Sequence, residues 1–99
     1  MVNNRIEWAN QRQRQILVHS FLYYQLNENI ISDHTFDRWS KELAEWMREN
    51  PETAKMTAYY EGFKTFDGSS GYDLPYSLPE IQNTGYKLLK IHNEKRKNK

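Results

Sequence analysis

The chain contains no cysteine and few glycine, proline or aliphatic residues. Its 99 residues include four Gly and three Pro, and hydrophobic residues make up 37% of the total. The absence of cysteine excludes disulfide frameworks and cysteine-based metal sites or nucleophiles, and it fits a reducing, cytoplasmic setting. No apolar run approaches the roughly 18 residues that a membrane helix needs, and the N-terminus lacks the apolar stretch of a signal peptide. We therefore expect a cytoplasmic chain without membrane contact.

Aromatic residues are abundant and take the place of the missing aliphatic ones. They make up 14% of the chain, as three Trp, seven Tyr and four Phe. We therefore expect a core built largely from rings. The length suits one small domain, which we place at residues 1–93, followed by a basic, frayed tail at residues 94–99.

Helical periodicity covers most of the chain outside one loop. The patterns predict four helices, at about residues 3–26, 33–49, 51–63 and 79–96. They also predict one irregular loop, rich in Gly, Ser, Asp and Pro, at about residues 66–78. Ser32 or Asp33 is expected to cap the second helix, with Asp33 taken as the cap, and Ser77 is expected to cap the fourth. The predicted fold is all-α, with a long N-terminal helical hairpin.

One short segment, residues 19–43, carries a motif of aromatic and acidic residues. It contains a Tyr pair at the end of a helix, then Ile-Ser-Asp, an aromatic-Asp pair three residues later, and Glu-Leu. This segment resembles the small N-terminal helical domain of bacterial NAD-dependent DNA ligases, called the Ia domain. In that family the domain clamps the nicotinamide mononucleotide (NMN) half of NAD. Aromatic rings flank the nicotinamide there, and carboxylates contact its amide and ribose.

The resemblance implies a nucleotide-binding corner. It assigns ligand contact to five residues, Tyr23, Tyr24, Asp33, Phe36 and Asp37. Phe36 stands where the family has Tyr, so the ring is kept and a hydroxyl hydrogen bond is lost. Aromatic faces and carboxylates both attract a cationic nicotinamide ring. A purely structural interpretation stays open, in which Asp33 caps a helix and Asp37 pairs with Lys41 at i+4.

No catalytic constellation accompanies this motif. Residues 64–68 read Lys-Thr-Phe-Asp-Gly, one residue longer than the Lys-x-Asp-Gly motif of nucleotidyltransferases, and they leave a helix rather than lying among strands. The three histidines do not have a metal-binding spacing. We therefore predict a protein that is not an enzyme, requires no cofactor and cannot ligate DNA alone.

Two further features indicate macromolecular partners. The loop contains three candidate partner-binding residues, Tyr72, Leu74 and Tyr76. They form either a lid over a small helical core or a contact surface for a protein. The tail contributes four basic candidates for nucleic-acid contact, Lys95, Arg96, Lys97 and Lys99. These residues either complement the dipole of the last helix or touch nucleic acid.

Three functions stay open at this point. The favoured one is a free-standing, non-catalytic interaction protein on a ligase-like scaffold, of the kind expected from phages or mobile elements, that binds a host ligase, replication or defence factor. The alternative is a module that binds NMN or NAD at the Tyr/Asp corner. It ranks second because the family's clamp works against a catalytic domain, and half of a site binds weakly. A nucleic-acid accessory role through the tail is the weakest of the three.

Overall fold

The computed structural model describes residues 5–69 and 71–97. It contains five helices, α1 (Ile6–Leu26), α2 (Asp33–Glu49), α3 (Pro51–Ala54), α4 (Tyr60–Phe63) and α5 (Pro79–Lys97). No strand occurs in the described ranges. The predicted all-α fold and its N-terminal hairpin are therefore confirmed.

The end of α1 is fixed by a left-handed turn at Asn27. The φ angle of Asn27 is 55°, a conformation that Asn adopts more readily than most residues. Its N–H donates to the carbonyl of Tyr23 at 3.1 Å, and the N–H of Glu28 donates to that of Leu22 at 2.8 Å. These bonds satisfy the last carbonyls of the helix and turn the chain toward α2.

The start of α2 is capped by Ser32. Its Oγ accepts a hydrogen bond from the N–H of Thr35 at 3.0 Å. Asp33 is the first residue inside the helix, so the prediction of an Asp cap is wrong and the alternative, Ser32, is confirmed. The carboxylate of Asp33 instead lies in the first turn, where the helix dipole favours negative charge.

Helix α1 is the central element of the core. It packs against both α2 and α5, and its second half is buried on several sides at Ile16, Leu17, Val18, Phe21 and Leu22. This explains why apolar residues run almost continuously there. Helix α5 approaches closely at Gly85, where a Cβ would lie 2.7 Å from the ring of Phe21.

The prediction of one continuous third helix is wrong, because residues 55–59 separate α3 from α4. Side chains of α1 bind the backbone of this segment. The Oδ1 of Asn10 accepts from the N–H of Ala58 at 2.7 Å, and the Oε1 of Gln13 accepts from the N–H of Tyr59 at 3.0 Å. These two N–H groups therefore have side-chain partners from α1 in place of the i→i−4 bonds of a continuous helix.

The loop between α4 and α5 closes over the helices. Leu74 and Tyr76 are buried and belong to the core. Helix α5 begins at Pro79, and the carbonyl of Leu78 accepts from the N–H groups of Ile81 and Gln82, both at 2.9 Å. The prediction of Ser77 as the cap is therefore wrong by one position.

The C-terminal end of the described chain is helical. Helix α5 continues to Lys97, so residues 94–97 of the predicted frayed tail continue the helix. Of the four basic candidates there, Lys95 is exposed. The side chains of Arg96 and Lys97, and all of Lys99, lie outside the described residues. None of the helices described is long and apolar enough to cross a membrane.

Candidate functional site

A pocket of about 340 Å³ lies where the end of α1, the start of α2 and the loop after α4 meet. This volume falls at the lower end of the roughly 300–1,000 Å³ typical of small-molecule sites. The pocket is lined by all five residues that the resemblance assigns to ligand contact, Tyr23, Tyr24, Asp33, Phe36 and Asp37. The hairpin therefore brings the predicted corner together.

Aromatic rings form the walls of the pocket. The rings of Tyr23 and Tyr24 meet edge to face, with centroids 4.9 Å apart. Tyr24 is held from the other side by the loop, because it stacks on Tyr76 at 5.8 Å and meets the edge of Tyr72 at 5.4 Å. Tyr23 is 46% exposed, so its ring is accessible to a ligand.

The charged groups of the lining are all acidic. Glu28 contributes a carboxylate from the turn after α1, and Asp33 and Asp37 contribute theirs from the first turns of α2. Among the described residues, no Lys or Arg lines the pocket. The Nζ of Lys41 does pair with Asp37 at 3.0 Å on the exposed surface of α2, as the structural interpretation expects. Such an exposed i,i+4 pair leaves a second carboxylate oxygen free for a ligand.

His19 lines the pocket as a neutral side chain. Burial lowers the pKa of His19 to about 4, so the imidazole carries no charge at neutral pH. Its ring meets that of Trp39 edge to face, with centroids 5.8 Å apart. Within the described part of the chain, its Nδ1 is buried without a hydrogen-bond partner.

Seven lining residues were not predicted, namely His19, Glu28, Asn29, Ile30, Ile31, Gly68 and Ser69. His19 and Glu28 belong to the ligase-like segment but are not part of its motif. Gly68 and Ser69 come from the loop, and nothing local in the sequence connects them to α1 and α2. No group of three or more His, Asp or Glu side chains suited to a metal ion occurs among the described residues.

The three loop residues predicted to bind a partner differ in accessibility. Tyr72 is 64% exposed, whereas Leu74 and Tyr76 are buried. Only Tyr72 therefore offers substantial surface to a partner, and the other two hold the loop on the core. Partner binding by this loop stays a prediction.

These features define a class of small helical domain, in which an aromatic pocket with an acidic rim sits at the turn of a helical hairpin. The family model that describes the "DNA ligase-like, N-terminal NAD+-binding domain" matches residues 3–58. The match covers more than half of the chain, which therefore belongs to this family. The resemblance of residues 19–43 to the ligase Ia domain is confirmed.

A comparison with curated proteins leads to the same family. A DNA ligase of Endomicrobium trichonymphae is 31% identical over 80 residues, which cover 81% of this chain and 11% of the ligase. The chain thus spans about one ninth of the length of that relative. No solved structure matches the chain.

The contact of the loop with the pocket wall can be tested at Gly71. A Cβ at this position would overlap the hydroxyl of Ser20 and lie 3.3 Å from Cζ of Phe36. We expect Gly71→Ala to lower the free energy of unfolding by about 1–2 kcal/mol, as measured by urea denaturation. Ser20→Ala alone is expected to have little effect, because the Ser20 hydroxyl has no hydrogen-bond partner among the described residues.

The double variant Ser20→Ala/Gly71→Ala tests whether steric overlap with the Ser20 hydroxyl causes this loss of stability. Removing the hydroxyl makes room for the new methyl group, so we expect the double variant to regain most of the lost stability. Strictly additive effects would contradict the overlap.

Proposed function

We propose that the pocket binds the nicotinamide mononucleotide half of NAD, or NMN itself, without catalysing a reaction. The observation that carries the proposal is the convergence of Tyr23, Tyr24, Asp33, Phe36 and Asp37 on one pocket. The family match adds support, because the matching domain is described as NAD+-binding.

The chemistry of the lining suits a flat cation. The nicotinamide ring of NMN carries a positive charge, which aromatic faces attract through their quadrupoles. Carboxylates strengthen that attraction, and they accept hydrogen bonds from amide and hydroxyl donors of the ligand. The negatively charged phosphate of NMN is repelled by the carboxylates of the rim, so we propose that it points toward solvent.

Calorimetric titration with NMN and NAD tests the proposal. We expect Asp33→Asn/Asp37→Asn to weaken NMN binding at least tenfold, a change of about 1.4 kcal/mol, because it removes two negative charges beside the ring. Glu45→Gln/Glu49→Gln is the matched control, since it removes two carboxylates from the far end of the same helix, where Glu45 and Glu49 line a different surface cleft. The control variant is expected to bind NMN as the wild type does.

Two results would count against nucleotide binding in this pocket. The first is the absence of heat with millimolar NMN and NAD on a sample whose circular dichroism shows a folded helical protein. The second is an equal loss of affinity in both double variants, which would assign the effect to net charge rather than to this pocket.

A protein-interaction role is the second proposal, and the exposed ring of Tyr72 supports it. Rigid aromatic side chains supply contact area at low entropic cost. Capture of a partner such as a purified host DNA ligase by the wild type, and its loss in Tyr72→Ala, would support this role. Leu74 and Tyr76 are unsuitable for the same test, because changing a buried residue also destabilises the fold. The weaker nucleic-acid role predicts an affinity that falls steeply with salt and disappears on removal of residues 94–99.

A further inference from the structure

Part of the pocket comes from residues beyond the segment that the family model matches. The match ends at residue 58, whereas Gly68 and Ser69 line the pocket. We call residues 67–69 the pocket turn. This turn is a feature of the present chain that the family match does not account for, and it adds to a site that otherwise consists of α1 and α2.

The pocket turn is seated firmly on α2. Gly68 has a φ of +87°, a backbone conformation that residues other than glycine rarely adopt. A Cβ at this position would lie 3.2 Å from both the Cα of Lys41 and the carbonyl oxygen of Ser40. The turn therefore rests directly on the helix that carries Asp33 and Asp37, which fixes Ser69 relative to both carboxylates.

The hydrogen bonds of Ser69 determine what its side chain offers to the pocket. Its N–H donates to Oδ1 of Asp67 at 2.9 Å, and its hydroxyl donates to the same oxygen at 2.6 Å. These bonds lower the pKa of Asp67, because they stabilise its charged form. Because the hydroxyl proton is committed to Asp67, the lone pairs of the Ser69 oxygen are what a ligand meets.

We propose that Ser69 is a specificity-determining residue, whose hydroxyl oxygen accepts a hydrogen bond from the carboxamide N–H of a nicotinamide ligand. This inference rests on the proposed function. A carboxylate in place of the carboxamide, as in nicotinic acid mononucleotide, has no proton to donate to this oxygen. It also places a negative charge among Glu28, Asp33 and Asp37. The pocket therefore selects the amidated nucleotide over the deamidated one, by attraction and by repulsion together.

Calorimetric titration with the two mononucleotides tests this selectivity. We expect wild-type protein to bind NMN at least tenfold more tightly than nicotinic acid mononucleotide. Ser69→Ala is expected to weaken NMN binding about fivefold, the effect of one lost hydrogen bond, and to leave the affinity for nicotinic acid mononucleotide unchanged. Ser77→Ala is the matched control, because Ser77 is exposed and lies outside the lining of the pocket.

A second variant tests the role of Asp67 as a positioning residue. Asp67→Ala removes the acceptor that holds the hydroxyl proton of Ser69, so the hydroxyl becomes free to donate to a carboxylate. We expect this variant to bind nicotinic acid mononucleotide more tightly than wild type does. The preference of Asp67→Ala for NMN should therefore fall because nicotinic acid mononucleotide binds more tightly. In Ser69→Ala the same preference falls because NMN binds more weakly. A merely structural role of Asp67 would weaken both ligands alike.

The possible outcomes separate this inference from the proposed function. If wild type binds NMN but Ser69→Ala keeps the wild-type selectivity ratio, the role of Ser69 is overturned and nucleotide binding stands. If folded wild-type protein binds neither mononucleotide, the proposed function fails and the inference fails with it. If the preference for NMN over nicotinic acid mononucleotide is smaller in Ser69→Ala than in wild type, and unchanged in Ser77→Ala, the result supports both the role of Ser69 and the proposed function.

Discussion

Gln13→Ala is expected to lower the free energy of unfolding by about 3 kcal/mol. Gln13 is completely buried and connects α1 to the turn between α3 and α4. Its Nε2 donates to Oγ1 of Thr57 at 2.9 Å, and its Oε1 accepts from the N–H of Tyr59 at 3.0 Å. Alanine leaves a cavity and an unpaired N–H on Tyr59, each of which costs roughly 1–3 kcal/mol in a protein interior.

Urea denaturation at pH 7 measures this loss, with Gln11→Ala as the control. Gln11 is exposed on the same helix, so its substitution tests helix propensity without burial, and we expect a change below about 0.5 kcal/mol. Gln13→Leu fills the cavity but cannot hydrogen-bond, so it should show the cost of the lost bonds alone. A loss below about 1 kcal/mol in Gln13→Ala would contradict the structural role given to this side chain.

The same side chain illustrates what could not be predicted from the sequence. The pattern of residues 51–63 favours one helix, because this segment does not show that its N–H groups have acceptors other than the carbonyls of the preceding turn. Asn10 and Gln13 supply those alternatives from α1, which lies far earlier in the chain. A polar residue on a predicted helix face indicates solvent exposure by default, so Gln13 gave no sign of its burial.

The parts of the fold that were predicted depend on local patterns. The period of apolar residues in α2 and the break at residues 27–32 define the hairpin without reference to the rest of the chain. The widening apolar face of α1 indicates contacts on more than one side, and α2 and α5 supply them. At Gly85, α5 lies close against the ring of Phe21.

The candidate site likewise contains residues that a local motif predicts and residues that only long-range packing places. Tyr23 and Asp33 come from two helices joined by a short turn, so a motif confined to one short segment was enough to predict that they meet. Ser69 lies far beyond Asp37 along the chain, and residues 67–69 are typical of any exposed turn. Its place in the pocket depends on the packing of Gly68 against α2, a long-range contact that no local pattern encodes.

The free energy of unfolding is expected to fall as the pH is lowered from 7 to 5, because His19 is buried in its neutral form. Burial lowers the pKa of His19 from 6.5 to about 4. Between these values the unfolded chain binds a proton that the folded chain excludes. The contribution to stability is therefore complete above pH 6.5 and is lost as the pH falls toward 4. The full shift corresponds to roughly 3 kcal/mol, and because the side chain keeps partial solvent access we expect a loss of about 1–2 kcal/mol at pH 5.

Urea denaturation of His19→Gln at several pH values isolates this contribution. Glutamine is polar and does not titrate, so between pH 7 and pH 5 the variant should lose less stability than wild type does, and the histidine term should be missing from its profile. His34→Gln is the control, because His34 is exposed at the start of α2 and its replacement should leave the pH dependence of wild type in place. The carboxylates that line the same pocket, Glu28, Asp33 and Asp37, are present in all three proteins, so the proteins differ only in the histidine that is replaced. Parallel pH profiles for wild type and His19→Gln would therefore show that the buried imidazole is not what makes the folded state sensitive to acid.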